Sequence, residues 1–247
     1  MLNKTSPKPL YEQLDEKVRS FIDKEEWEPN SPIPSENILS QTYNVSRTTV
    51  RKVLINLVNE GLLFRVQGKG TFVAEPKITA KSLAYMGVRE QLERMGYKTT
   101  TKLISFKQVK ADTRLNNIMD VKIGDELHFI ERLRLIEGNP ISLHRSYIPK
   151  VLAPTLTSER FEIEQLCVIL QQEFDLKPTI VTETLESVQA TKLESDLLDI
   201  ERNYPLLMLE DINKTATGRV YEYTKVLFRG DKIKLNFEYR EGVRKQV

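Results

Sequence analysis

Two groups of residues in this 247-residue chain have types and spacing suited to gripping another molecule. The first lies in NVSRTTVRKV, residues 44–53. Ser46 is a good helix N-cap, its hydroxyl able to accept from the free amides of a first turn. At about 100° per residue, Val50, Val53, Leu54 and Leu57 gather on one side of the predicted helix. Thr48, Arg51 and Lys52 gather opposite, with Arg47 at the exposed first turn. An arginine can bond guanine in two places or hold a phosphate, and Thr48 and Thr49 can touch a thymine methyl or a phosphate.

The second group is Arg132 and Arg134. Two apart on a strand, they point to the same face and can hold one anion between two forks. Like charges side by side cost energy, so the pair calls for a carboxylate partner or an anionic ligand. Glu131, Glu222 and Glu238 are candidates for the first answer, and the residues alone leave the two answers open. Chemistry that makes bonds is harder to find: no nucleophile–base pair is legible, and Gly68-Lys69-Gly70 lacks the strand–glycine–helix setting of a phosphate loop. His128 and His144 are too few and too isolated for a metal set, and no cofactor is called for.

These groups need elements to position them. Pro9, Leu10, Leu14, Val18, Phe21 and Ile22 recur at helical spacing. The prolines of 27–34 stop that helix, and Ser35 caps a short second one carrying Ile38, Leu39 and Tyr43. Asn44 and Val45 turn into the third helix, which Gly61 ends. Leu62–Val66 and Thr71–Val73 then flank Gln67, Gly68, Lys69 and Gly70, a hairpin with a cationic tip. Between Val45 and Val73, five Lys or Arg stand against one acid, Glu60, so the basic charge is concentrated here although the whole chain carries only +2.

In this order PSEN, VSRTTVRKVL and NEGLLFRVQGKGTFV closely resemble the winged helix-turn-helix domain of GntR-type transcriptional regulators. The resemblance implies a double-stranded operator DNA partner, contacted by Ser35, Asn37, Ser46, Arg47, Thr48, Thr49, Arg51, Lys69 and Gly70. It also marks a departure, since the family commonly has Arg after its PSE and here Asn37 stands there. Asn pairs with adenine and lacks the reach of Arg toward guanine, so operator preference is expected to shift.

The segment AEPKITA, 74–80, has neither strong helical nor strong strand character, and the expected division is a DNA-binding domain at 8–76, a linker at 77–81 and a second domain at 82–245. In that second domain a helix is expected from Ser82 to Gly96, strands at 99–109, 127–136, 141–148, 179–189, 206–215, 220–228 and 233–239, and helices at 111–119, 163–174 and 192–198. Hairpin-length loops argue for an antiparallel sheet flanked by helices, an α+β domain. Cys167 falls in the rhythm of Ile163, Leu166, Ile169 and Leu170 and is expected to be packed. With one cysteine, no leader and no apolar run of about 18 residues, the expectation is a cytoplasmic chain without a membrane partner.

The motifs ERLRLIEGNPISLHRSYIP, ETLESVQA, YPLLMLEDI and GRVYEYTKVLFRGDKIKL resemble, in that order, the UTRA effector domain of the HutC subfamily, a chorismate lyase-like fold. The resemblance implies a repressor whose DNA affinity is changed by a small anion, with a phosphorylated sugar as the leading class. Arg132, Arg134 and Glu222 match positions that hold effectors in the family. His144 stands where a Glu is expected, Phe228 where a Tyr is frequent, and Ser146 joins the set through hairpin pairing. A three-residue loop at Gly138 and Asn139 puts His144 and Ser146 beside the arginines, and a two-residue loop puts Arg145 there. A single winged helix reads only a half-site, so a homodimer on a pseudo-palindrome is expected. Two other classes are set against this one: an enzyme using the same pocket, which the missing nucleophile–base pair, metal set and phosphate loop argue against so that no enzyme is expected, and a non-specific nucleic-acid binder, which would bind without operator preference.

Overall fold

The computed structural model describes residues 2–81 and 88–236, which divide into two compact units between Lys77 and Ile78. The first unit holds three helices, α1 (Leu10–Asp23), α2 (Glu36–Tyr43) and α3 (Arg47–Asn59), then a hairpin of β1 (Leu63–Val66) and β2 (Gly70–Val73). Each helix contributes its apolar stripe to one core: Leu14 and Val18, Leu39, and Val50, Val53, Leu54 and Leu57 pack with Leu63 and Val73. Local chemistry sets the boundaries. Ser35 accepts from Ile38 N and Ser46 from Thr49 N, and Asn44 closes α2 in the left-handed conformation at φ 51°. Gly61, at φ 76°, lets Leu62 N reach back to Leu57 O at 2.9 Å, ending α3.

The second unit is built on a six-stranded antiparallel sheet in the order β4 (Thr99–Lys110), β5 (Glu126–Ile136), β6 (Asn139–Pro149), β9 (Val220–Arg229), β8 (Pro205–Lys214), β7 (Ile180–Gln189). Helices α4 (Val88–Arg94), α5 (Thr113–Met119), α6 (Leu166–Phe174) and α7 (Lys192–Leu198) cover it. Leu92 of α4 packs on Ile136, Leu209, Val226 and Phe228, and α6 packs on Ile130 and Ile148. The alternate strand residues Leu133, Leu143, Leu206, Met208 and Leu227 gather instead around Leu198 of α7. The sheet is therefore closed by helices on both faces, which is why β5 is buried at nearly every position.

Several expectations need correcting. Residues 78–81, assigned to a linker, form β3 (Ile78–Lys81), paired in parallel with β10 (Ile233–Asn236). Ile78 packs against the Leu92–Phe228 cluster and its amide bonds to Lys232 O at 2.8 Å, so tertiary packing recruits a segment with little strand propensity of its own. The helix expected from Ile163 starts only at Leu166, and Ile163 is 69% exposed. Cys167 is exposed as well: the buried stripe runs through Leu166, Ile169 and Leu170, and a residue one step from Leu166 is turned about 100° away from it. Residues 82–87 of the expected first helix, the end of the last strand, and Glu238 lie outside the described residues. Among the described residues no helix is long and apolar enough to cross a membrane.

Trp27, the single tryptophan, stacks on Phe21 at 4.9 Å beside the first core, so its fluorescence reports unfolding of that unit alone. Leu57→Ala, at a fully buried position, is expected to lower the urea midpoint read from Trp27 by the equivalent of about 2–5 kcal/mol.

Candidate functional site

The outward face of α3 begins at Arg47 and Thr48, both exposed. Among the described residues, Arg47 forms no hydrogen bond or ion pair within 4 Å. Ser46 and Thr49 are less free, since Ser46 Oγ both caps the helix and meets Thr49 Oγ1 at 2.8 Å. Arg51 is held. Its Nη2 and Nε donate to Glu36 Oε2 at 2.8 and 3.0 Å, and Arg65 Nη2 donates to Glu36 Oε1 at 3.3 Å. The hydrogen bond from Arg51 keeps the Glu36 carboxyl below its usual range, against the opposing effect of burial. Lys52 lies over the Tyr11 ring at 5.0 Å. Ser35 and Asn37 stand exposed at the start of α2. At the hairpin tip Gln67, Gly68 and Lys69 form a three-residue loop between Val66 and Gly70. Gly68 and Gly70 take φ 73° and 124°, a backbone that presents Lys69 and that L side chains resist. The sequence reading missed Glu36: the acid lies 15 residues from Arg51, a separation no helical period links.

In the second unit a bulge decides what faces the arginines. Glu137 and Gly138, at φ 49° and 82°, make a two-residue turn joining Ile136 to Asn139, yet Arg134 pairs with Ser142 while Leu135 pairs with Pro140. The additional residue, Ile141, shifts the register by one. His144 consequently stands opposite Arg132, with Ser142 and Ser146 on either side of it along β6, and Arg145 points to the other face. There Arg145 bonds Glu131 Oε1 at 2.7 Å and Glu194 Oε1 at 2.6 Å, which removes Glu131 as a partner for Arg132 and Arg134.

Register carries the same face onward. Thr224 and Val226 pair with Ser146 and His144, and Asp211 and Asn213 pair with Thr224 and Glu222. A cavity of about 110 Å³ opens there, lined by Arg132, Arg134, His144, Glu222, Asp211 and Asn213, with Gln165 and Cys167 contributed at the start of α6. A chain of hydrogen bonds runs along its floor: Arg132 Nη2 donates to Ser146 Oγ at 3.3 Å, Ser146 meets Thr224 at 2.9 Å, Thr224 donates to Glu222 Oε1 at 2.9 Å, and Asn213 donates to Glu222 Oε2 at 3.0 Å. His144 Nε2 meets Ser142 Oγ at 2.9 Å and its ring stands edge-on to Phe228 at 6.3 Å. Phe228 itself is fully buried beneath the site and does not line the cavity.

The electrostatics are unbalanced. Arg132 and Arg134 are 6% and 5% exposed, and among the described residues neither forms an ion pair within 4 Å. Arg132 Nε and Arg134 Nε and Nη1 have no hydrogen-bond partner. Burial, then the charge of Arg132, pushes Arg134 down to about 9, so it remains charged at neutral pH. Burial and the two arginines hold His144 well below the usual imidazole value, leaving it neutral. On the far side Asp211 Oδ1 is buried without a partner. Burial, followed by Glu183 and Glu222, pushes Asp211 up to about 8. Asp211 and Asn213 were not singled out from the sequence, because only the pairing of β8 with β9 brings them to the arginine face. Among the described residues no three His, Cys, Asp or Glu are grouped to hold a metal.

A winged helix-turn-helix followed by a helix-covered antiparallel sheet with a polar cavity defines a DNA-binding module joined to a ligand-binding one. Residues 10–73 match the description "Bacterial regulatory proteins, gntR family" and residues 94–234 match the UTRA domain. The chain is 31% identical over 231 residues to the HTH-type transcriptional repressor NagR of Bacillus subtilis, covering 94% of this chain and 95% of that one. It is 29% identical over 235 residues to the mannosyl-D-glycerate transport/metabolism system repressor MngR of Escherichia coli, covering 92% and 94%, and 28% identical over 213 residues to a histidine utilization repressor of Pseudomonas putida, covering 86% and 84%. Among solved structures, PhnF from Mycobacterium smegmatis shares the fold at a TM-score of 0.62 and 21% identity, over 92% of this chain and 99% of that one. The chain belongs to the HutC subfamily of the GntR family and is a DNA-binding transcriptional repressor of the GntR/UTRA type.

Asp211 makes stability pH-dependent in a stated direction. A carboxyl whose folded value lies above its unfolded one favours the folded state while protonated, and that contribution is lost as pH rises toward about 8. Because the lowered His128 and His144 make stability rise with pH below about 6.5, the window for Asp211 is about pH 7 to 8.5, where chemical denaturation is expected to show stability falling for the wild type and a flatter profile for Asp211→Asn.

Proposed function

We propose that this repressor reads its operator through Arg47, Thr48 and Thr49 of α3, Ser35, Asn37 and Ser46 at the helix starts, and Lys69 and Gly70 of the wing, with Arg51 reached through Glu36. The support is the exposure of the α3 first turn on a helix whose other side is clamped into the core. Arg47, unengaged by any side chain within 4 Å among the described residues, is the group most available to a base edge or phosphate. Asn37 directs preference toward adenine at the position it meets. Two copies of the chain acting as a homodimer would place two such helices on a pseudo-palindrome.

The second module, in this reading, is controlled by a small anion held on Arg132 and Arg134, with His144, Ser146 and Glu222 completing the polar lining and Phe228 supporting His144 from below. The observation that carries it is a pair of buried guanidiniums with unmet donors and no ion-paired carboxylate among the described residues. Two side chains that leave one strand about 6–7 Å apart on the same face can bring their forks to the oxygens of one phosphate or carboxylate. A phosphorylated sugar is the leading class. Relatives named for mannosyl-D-glycerate and histidine systems concern compounds that also carry an anionic group. The neutral His144, in place of a carboxylate, leaves the arginine side of the cavity wholly positive.

Arg47→Ala is expected to weaken binding to a duplex selected in vitro by about 1–3 kcal/mol; a gel-shift titration matching wild type would remove Arg47 from the reading. Glu36→Gln releases Arg51 and Arg65 from their shared acid. It is expected to tighten binding to unrelated duplex at low salt while narrowing the ratio between operator and unrelated DNA, measured by competition across a salt series. For the effector, a melting-temperature panel of sugar phosphates should contain compounds that stabilise the wild type and not Arg134→Met, which in turn is expected to be the more stable protein without them. A flat panel, with operator affinity unchanged by every compound, would count against the anion.

A further inference from the structure

The cavity has a second pole. Asp211 is 8% exposed and its Oδ1 has no partner, yet the same cavity is lined by Arg134, 5% exposed, with two nitrogens likewise unmet. An unmet acceptor and unmet donors lining one cavity ordinarily bond to each other. Here the sheet prevents it, because β5 and β8 are separated by β6 and β9, three strand spacings or about 14 Å between backbones. No ion pair joins Asp211 or Glu222 to either arginine among the described residues, and the space between them is open.

We infer that the cavity takes a zwitterion, whose anionic group sits on Arg132 and Arg134 and whose ammonium group sits at the opposite end on Asp211, with Asn213 and Glu222 beside it. This rests on the anion reading of the arginines and adds the requirement at the other end. The surroundings of Asp211 favour a cation over a hydroxyl. Glu183 stands directly opposite it on β7, and on β9 Thr224 pairs with Asp211 itself while Glu222 pairs with Asn213, two residues along. His144 on β6 is neutral, and Gln165 and Cys167 at the start of α6 bring no positive charge. The only guanidiniums lining the cavity among the described residues are those of Arg132 and Arg134 across it. A hydroxyl would satisfy Asp211 Oδ1 and leave the carboxyl holding its proton beside Glu222; an ammonium would satisfy the oxygen and let the carboxylate form there. In the unliganded protein a proton takes that place, since Asp211 is pushed up to about 8, and an arriving ammonium displaces it.

Two matched pairs of probes test this in the full chain by isothermal titration calorimetry: glucosamine 6-phosphate against glucose 6-phosphate, and O-phosphoethanolamine against 2-hydroxyethyl phosphate. The pairs differ in span, and within each the only change is ammonium for hydroxyl. In at least one pair the amino member is expected to bind about tenfold or more tightly, the scale of one charge-assisted hydrogen bond. Asp211→Asn is expected to erase that preference while leaving the hydroxyl member within about threefold. Arg134→Met is expected to lose both members. A measurement needing no variant uses buffers of different ionisation heat at about pH 7: O-phosphoethanolamine, whose ammonium is fully protonated there, should release more protons on binding than 2-hydroxyethyl phosphate. Equal binding of both members to wild type, lost in Arg134→Met, would leave the anion reading standing and overturn the zwitterion. A preference that survives Asp211→Asn would overturn it also. If no probe of either pair binds the wild type, the anion reading fails and takes this inference with it.

Discussion

Two like charges on one face of a buried strand are the constraint around which the second unit is arranged. Arg132 and Arg134 lie in the interior of β5, which the sheet covers with β4 and β6 on its sides and with helices on both faces. A buried guanidinium with unmet donors costs on the order of 1–3 kcal/mol or more. The fold tolerates this because its apolar neighbours are numerous: Ile130, Ile136, Val226 and Phe228 share that face, and Leu133, Leu143 and Leu227 share the other. The cheapest relief would be a carboxylate across the strand pair. β6 carries no acidic residue to offer one; its bulge at Ile141 places neutral His144 and two serines there and sends Arg145 to neutralise Glu131 and Glu194 on the opposite face. Residue type leaves the arginines unpaired across this strand pair, and backbone register keeps a third guanidinium away from them.

The DNA-binding unit follows the opposite logic. Its charged side chains are exposed, so they cost little to hold, and what the structure supplies is orientation. The caps at Ser35 and Ser46 fix where α2 and α3 begin, and the apolar stripe of α3 fixes which way it faces. Glu36 then restrains one arginine from α3 and one from β1. One carboxylate thus fixes two guanidiniums from different elements and lowers the local positive charge of that face.

Much of this was legible in the chain because it is local. Helical period named the core residues Val50, Val53, Leu54 and Leu57, the cap chemistry named Ser35 and Ser46, and glycines named the wing. The candidate cavity was legible only in part. Arg132 and Arg134 stand out because period-two spacing is a local rule, and Glu222 entered through resemblance. Asp211 sits in LLMLEDIN, where nothing adjacent marks it; its role depends on β8 pairing with β9, on β9 pairing with β6, and on the bulge between Arg134 and Leu135. A one-residue shift anywhere along that chain of pairings would turn it to the other face. Ile141 in GNPISL carries no signal that it will be left over, and Cys167 was misplaced for a similar reason, the true start of α6 being set by tertiary packing three residues later than the apolar rhythm.

The two kinds of site meet in one energetic argument. A ligand changes DNA affinity only to the extent that it prefers one state of the protein over another. A cavity already neutralised would gain little from any ligand, and so could distinguish states little. Unmet donors on Arg132 and Arg134 together with an unmet acceptor on Asp211 leave interactions open that a molecule bearing complementary groups would make. A typical coupling of about 1–3 kcal/mol is no larger than one such charge-assisted hydrogen bond.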